Sequence, residues 1–115
     1  MSAGNQTPGA CADDATTQVI ATAVRARQVT VREIVEARLA RIAATDGAVN
    51  AFTAVLAARA RARADELDAM PSLATLPLAG VPFAVKNLYD IAGLSTLAGA
   101  KIERDAPAAS ADALL

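Results

Sequence analysis

The sequence predicts an α/β chain in which three N-terminal helices lead into one buried strand. Apolar residues recur at three- and four-residue spacing through residues 16–69, the period of a helix face. A Thr-x-x-Glu box at Thr30–Glu33 marks a helix start. From Met70 onward the grammar changes to short apolar runs punctuated by Gly and Pro. One of these, Leu78 to Val85, is long and apolar enough for a strand buried on both faces.

The first helix is expected from about Thr16 to Arg27, with Val19, Ile20, Ala23 and Val24 on one stripe and an N-cap from Asp13, Asp14 or a threonine. The second begins at the Thr30 box, carries Val31, Ile34, Val35, Leu39 and Ile42 on one face, and is expected to stop at Asp46-Gly47. The third, about Val55 to Ala69, is rich in Ala and Arg and poor in large apolar groups, which predicts a surface position. Its charges suggest an Arg61–Asp65 pair at i,i+4 and an Arg63–Glu66 pair at i,i+3. Arg59, Arg61 and Arg63 alternate, so they point about 200° apart on a helix and read as a solvated face rather than an anion site. Residues 1–15, small and polar, read as a mobile tail in which Cys11 is an inert thiol.

Composition narrows the chemistry. The chain has 115 residues, 11 basic against 12 acidic, for a net charge of −1, so a basic patch for nucleic acid or an anionic membrane surface is not expected. With no His and one Cys, this sequence has no Ser-His or Cys-His couple, no His-ligated metal and no cysteine cluster. Catalysis by these residues needs another base, and neither a metal nor another cofactor is expected. Charged or hydroxyl residues interrupt every apolar run before it reaches membrane-spanning length. The start lacks the basic and apolar regions of a secretory signal, which predicts a cytoplasmic protein.

The run Leu78-Ala79-Gly80-Val81-Pro82-Phe83-Ala84-Val85-Lys86-Asn87 ends an apolar strand abruptly at a lysine. Burial there would disfavour the ammonium, and a neutral amine is a proton acceptor. On the pattern alone, a lysine whose stem leaves the core and whose head reaches water is the favoured reading. A single strand also leaves both rows of its backbone groups unmatched. Together with Ala108 to Leu115, which reads as a helix just beginning at Ser110, this predicts that the chain is the front part of a longer protein.

The run Leu78 to Ile102, LAGVPFAVKNLYDIAGLSTLAGAKI, resembles the first diagnostic block of the amidase signature family, close to GVP-x-x-VKD followed by T-x-x-G. Thr30 to Ile42 and Val49 to Ala60 are similar to that family's entry helices and its N-A-F-T segment. The resemblance covers about Thr16 to Leu115. It implies a single α/β domain with a large mixed sheet between layers of helices, residues 16–115 being its N-terminal part. It also implies amide hydrolysis by a Ser-cis-Ser-Lys triad, with Lys86 at the position of the triad lysine. Both serines would lie beyond Leu115 in a Gly- and Ser-rich stretch, and neither Ser95 nor Ser110 matches them. Ser95 is expected to cap or decorate a turn.

Two positions depart from the family pattern. Asn87 stands where most members have Asp, and Ala100 where a Ser commonly follows the Gly. The runs VKNLYDIAGLSTLAGAKI and ATDGAVNAFT look more like the carboxybiuret hydrolase branch than like the glutamyl-tRNA amidotransferase A subunit or a general amidase. That branch implies a small-molecule amide substrate, 1-carboxybiuret, with release of ammonia, and a small helical partner subunit in a larger oligomer. The rival from another class is a non-catalytic helical interaction module. It predicts an independently stable fold, whereas the enzyme reading predicts an open sheet edge.

Overall fold

The computed structural model describes residues 9–114. They form two compact units, one ending at Pro82 and one beginning at Phe83. The first unit contains α1 (Thr17–Arg25), α2 (Val31–Val49), α3 (Ala57–Asp68) and a 3-10 turn at Leu73–Thr75. The second contains a 3-10 turn at Lys101–Asp105 within otherwise irregular chain.

Each helix start has a local cause. Thr16 caps α1, its hydroxyl accepting from the Val19 N–H at 3.2 Å. At α2 the expected box is complete: Thr30 Oγ1 accepts from the Glu33 N–H at 3.0 Å, and Glu33 Oε2 accepts from the Thr30 N–H at 2.7 Å. The bonds to Thr30 hold the Glu33 carboxyl below the usual carboxylate range. The two N–H groups between, of Val31 and Arg32, donate to the Asp68 carboxylate at 2.7 and 3.0 Å. All four N–H groups from Val31 to Ile34 are thus satisfied, the last by the Thr30 carbonyl at 3.3 Å. A carboxylate at this end also meets the positive pole of the helix. No sequence rule points to Asp68, because it comes from the end of α3.

The helix ends correct three expectations. The first helix stops at Arg25, and Arg27 takes a left-handed φ of 53°. From there its guanidinium donates to the Asp68 and Met70 carbonyls at 3.1 and 2.8 Å, satisfying the exposed end of α3. The second helix runs through Asp46-Gly47 to Val49. Gly47 is tolerated inside it, and the terminator is Asn50, left-handed at φ 53°. Asp46 serves that end differently, its carboxylate accepting from the Ala51 and Phe52 N–H groups at 2.7 and 3.3 Å. The third helix is Ala57–Asp68, shorter than expected at its N-terminus, where Leu56 offers no side-chain cap.

The core of the first unit joins Ile20 and Val24 of α1, Val31 and Ile34 of α2, Ala64 of α3, and Ala10, Leu73 and Ala79 from the connecting segments. Val24, Ile34 and Leu73 are its largest fully buried side chains. Each contributes about 1.5–3 kcal/mol of burial. Of the predicted stripes, Ile20 and Val24 are buried, and Val19 and Ala23 pack beside them. On α2 the stripe holds for Val31 and Ile34, while Val35, Leu39 and Ile42 are half-buried. Small residues let α3 approach α2 through Ala64, so this helix packs on its neighbour.

Gly80 fixes how the chain leaves this core. Its φ is +69°, and a Cβ there would stand 3.0 Å from methyls of both Val24 and Val31. Glycine is required twice over, by backbone conformation and by the space between two buried valines.

The ion pairs rearrange. Arg63–Glu66 forms as expected, at 2.9 Å. Arg61 turns instead to Glu36 of α2, at 2.7 and 3.1 Å, and Asp65 pairs with Arg32 at 2.9 Å. Glu36 also accepts from Arg32 at 2.9 Å, and the two guanidinium groups, Arg61 first, lower its carboxyl to about 2. Arg61 therefore ties α3 to α2 rather than decorating a solvated face.

Residues 1–8 of the expected tail lie outside the described residues. From Gly9 the chain is tied to the first unit: Ala10 is buried, Arg38 donates to the Ala12 carbonyl at 2.9 Å, and Arg41 pairs with Asp13 at 3.1 Å. Cys11 is exposed.

The expected strand does not form among the described residues. Residues 81–86 are irregular, and Phe83 is 81% exposed. An apolar run becomes a strand by pairing its backbone with a neighbour, and the described residues contain no second strand. The helix expected from Ser110 is also absent through Leu114.

Candidate functional site around Lys86

Lys86, the one catalytic candidate of the sequence, opens the turn at the start of the second unit. Its carbonyl accepts from the Tyr89 N–H at 3.2 Å. The ammonium-bearing side chain is exposed, as are Leu88 and Tyr89. The buried surroundings expected of a lysine ending an apolar strand are thus not supplied by the described residues.

The next residue does more than the sequence suggests. Asn87 accepts twice from one loop: its side-chain Oδ1 takes the Leu97 N–H at 3.1 Å, and its backbone carbonyl takes the Ala98 N–H at 2.9 Å. A third tie runs parallel, from the Thr96 hydroxyl to the Asp90 carboxylate. Beyond these contacts the loop turns through two left-handed residues, Ala98 at φ 48° and Gly99 at φ 73°. Glycine adopts that conformation readily, while for Ala98 it costs about 1–2 kcal/mol, which the flanking hydrogen bonds offset.

The VKN and T-x-x-G segments are therefore one structure. Thr96, Leu97 and Ala98 all bond to the Asn87–Asp90 turn, and the closing Gly supplies the reversal. Asn87 departs from the family pattern in sequence, yet an amide oxygen accepts an N–H as a carboxylate oxygen does. The signal that could have revealed the clamp is the spacing of the two segments. A ten-residue separation with Gly at its far end suits a closed loop.

The serines stand apart from this arrangement. Ser95 donates its hydroxyl to the Ala106 carbonyl, a turn-bracing role, and Ser110 is exposed. The Thr96 hydroxyl is committed to Asp90. The base of the loop is closed by reciprocal bonds, Gly93 N–H to the Ala109 carbonyl at 2.9 Å and Ala109 N–H to the Leu94 carbonyl at 2.8 Å. Asp112 Oδ1 accepts from the Ala92 N–H at 3.0 Å. Among the described residues, no group of three or more Cys, Asp or Glu side chains could hold a metal ion. Chemically, the Lys86 turn presents a primary amine on a segment whose backbone is bonded on both sides.

A family model described as Amidase matches residues 33–115, which contain α3, Gly80 and the whole Lys86 turn. The chain is 54% identical over 86 residues to AtzE of Pseudomonas sp. (strain ADP), which is one subunit of 1-carboxybiuret hydrolase, covering 73% of this chain and 19% of that protein. It is 48% identical over 81 residues to the glutamyl-tRNA(Gln) amidotransferase A subunit of Anaeromyxobacter dehalogenans (strain 2CP-C), covering 69% and 16%. A protein named amidase from Pseudomonas putida is 41% identical over 80 residues, covering 69% and 17%. The chain therefore spans less than a fifth of the length of these curated relatives.

A solved structure, of a vestigial protein complex that reveals the evolutionary origins of an s-triazine catabolic enzyme, superimposes with a TM-score of 0.80 at 47% identity. It covers 85% of this chain and 22% of that one. The family match takes in the Lys86 block that carried the resemblance in the sequence, and the chain belongs to the amidase family.

Proposed function

We propose that this chain is the lysine-bearing N-terminal part of an amidase that cleaves the C–N bond of a small carboxylated urea such as 1-carboxybiuret, releasing ammonia. The observation that carries the reading is the 54% identity to a protein of 1-carboxybiuret hydrolase, across a stretch that includes most of the family match. Lys86 acts as the base of a Ser-cis-Ser-Lys triad. Its neutral amine takes the proton that a bridging cis-serine relays from the nucleophilic serine, whose oxygen attacks the substrate carbonyl. The proton returns to the leaving nitrogen, which departs as ammonia, and water then hydrolyses the acyl-serine. Both serines belong to chain following Leu115. That additional chain also supplies the pairing strands of a mixed sheet and covers Phe83, Val85 and Lys86, giving the amine the desolvation that a base needs.

The protein works in the cytoplasm, and its partner is a small helical subunit. In support, no helix among the described residues is long and apolar enough to cross a membrane, and one similar solved structure is a protein complex. The competing reading is an amidotransferase A subunit, favoured by 48% identity to one such protein. Ammonia release separates the two. The full-length protein with its partner is expected to deaminate 1-carboxybiuret with a higher kcat/KM than glutamine. Faster turnover of glutamine with charged tRNA as acceptor would assign the amidotransferase role.

A further inference from the structure

Given Lys86 as the base, we infer that Asn87 is a positioning residue for it, acting through a two-point clamp on the Thr96–Gly99 loop. The inference rests on the proposed function and deepens it.

Side chain and backbone of one residue capture two consecutive N–H groups, of Leu97 and Ala98, at 3.1 and 2.9 Å. Such a pair fixes the loop's distance from the turn and also its rotation, because two neighbouring amides are held at once. The backbone preceding Asn87 is bonded too, through the Lys86 carbonyl and the Tyr89 N–H. The Cα from which the lysine projects is therefore held between a turn on its own segment and a loop ten residues away. The Thr96 hydroxyl on Asp90 keeps the two segments in register. An amine that exchanges a proton with a serine must sit within hydrogen-bond reach of it, and a misplacement of about 1 Å can cost about 100-fold in rate. Losing the Oδ1 acceptor leaves the Leu97 N–H without this partner and loosens the loop's hold on the turn, the Ala98 N–H and the Thr96 hydroxyl keeping theirs.

Asparagine also differs from aspartate in charge. Both offer the oxygen that Leu97 needs, but a carboxylate next to Lys86 would favour the ammonium form, which cannot accept a proton. Asn87 thus supplies the clamp without holding a proton on its neighbour.

The experiment uses the full-length protein with its partner. Steady-state ammonia release is measured on whichever of 1-carboxybiuret, glutamine and propionamide the wild type turns over fastest. Asn87→Ala is expected to lower kcat by about 10- to 100-fold with KM changed less than about threefold, since an interaction that serves only the transition state is removed. Asn87→Asp keeps the acceptor and is expected to hold kcat at its optimum within about fivefold of wild type, with the acid limb of the pH–rate profile moved to higher pH. In a Lys86→Ala background, Asn87→Ala is expected to add no further loss, because the two act as one unit.

A Lys86→Ala enzyme that loses its activity beside an Asn87→Ala enzyme within threefold of wild type overturns the clamp and leaves the Lys86 reading standing. Lys86→Ala activity within tenfold of wild type, or no turnover of any of the three amides by wild type, overturns both. Should Asn87→Ala fail to fold, Asn87→Asp decides alone: a slow enzyme, or one whose acid limb does not move, contradicts the inference.

Discussion

Replacing Gly80 with alanine tests whether the close approach of the chain to Val24 and Val31 holds the first unit together. The new methyl would lie 3.0 Å from both valines, at a site whose φ is +69°. Left-handed backbone costs a non-glycine residue about 1–2 kcal/mol. Forcing a methyl into a packed core costs about 1–3 kcal/mol more, and here both neighbours are branched and buried, with Val24 fully so. The total is roughly 2–5 kcal/mol, a large part of the stability of a small domain. Urea unfolding of the full-length protein, followed by ellipticity at 222 nm, gives the measurement. With a slope of about 3 kcal/mol/M, at the upper end of the range for small proteins, the midpoint is expected to fall by roughly 0.7–1.7 M. Gly47→Ala is the matched control. It lies inside α2 with open space around its Cβ position, and alanine there is expected to stabilise by about 0.5–1 kcal/mol. An unchanged midpoint for Gly80→Ala, or an equal loss for Gly47→Ala, would refute the argument.

Three further outcomes are expected from the same structure. Asp68→Ala removes the acceptor of the Val31 and Arg32 N–H groups and is expected to destabilise the first unit by about 1–2 kcal/mol in the same urea assay, whereas Asp65→Ala, which loses a pair at an exposed position, is expected to do much less. Glu36 is held near 2 by Arg61 and Arg32, below its ordinary value of 4.5, so its contribution is complete above about 4.5 and fades as pH falls toward 2. The urea midpoints of wild type and Glu36→Gln are therefore expected to differ most near neutral pH and to converge in acid, and raised salt should narrow the gap at pH 7. In ammonia-release assays the full-length protein is expected to prefer 1-carboxybiuret to glutamine and aryl amides, and a reversed preference in kcat/KM would remove the branch assignment.

What the sequence disclosed depended on how local each cause is. The Thr30–Glu33 box involves four consecutive residues and both of its bonds form. The other half of the same helix start, Asp68, lies 37 residues from Val31, and no periodicity announces it. The end of α2 misleads because Asp-Gly commonly marks a turn, yet Gly47 costs a helix only about 1 kcal/mol and the left-handed Asn50 supplies the stop. Spacing along one helix assigns Arg61 to Asp65, while Glu36 of the packed neighbour takes it at 2.7 Å. The strand fails for the opposite reason. Apolar residues at 81–85 state that the segment seeks burial, but a strand exists only with its partner, and none is present among the described residues. Lys86 is visible through its motif, whereas the clamp beside it requires knowing that two segments ten residues apart meet.

The role of Lys86 as the proton acceptor is tested most directly by one substitution. In the full-length protein with its partner, Lys86→Ala is expected to lower kcat for ammonia release by about 10²–10⁴-fold or more, the range of a lost general base. The far-UV circular dichroism should stay close to wild type, since Lys86 is not among the residues that form the helical core. Lys101→Ala, the other lysine of the sequence, serves as the control and should change kcat less than about threefold, as is usual for a surface substitution away from the chemistry. A Lys86→Ala enzyme retaining kcat within tenfold of wild type would contradict the assignment.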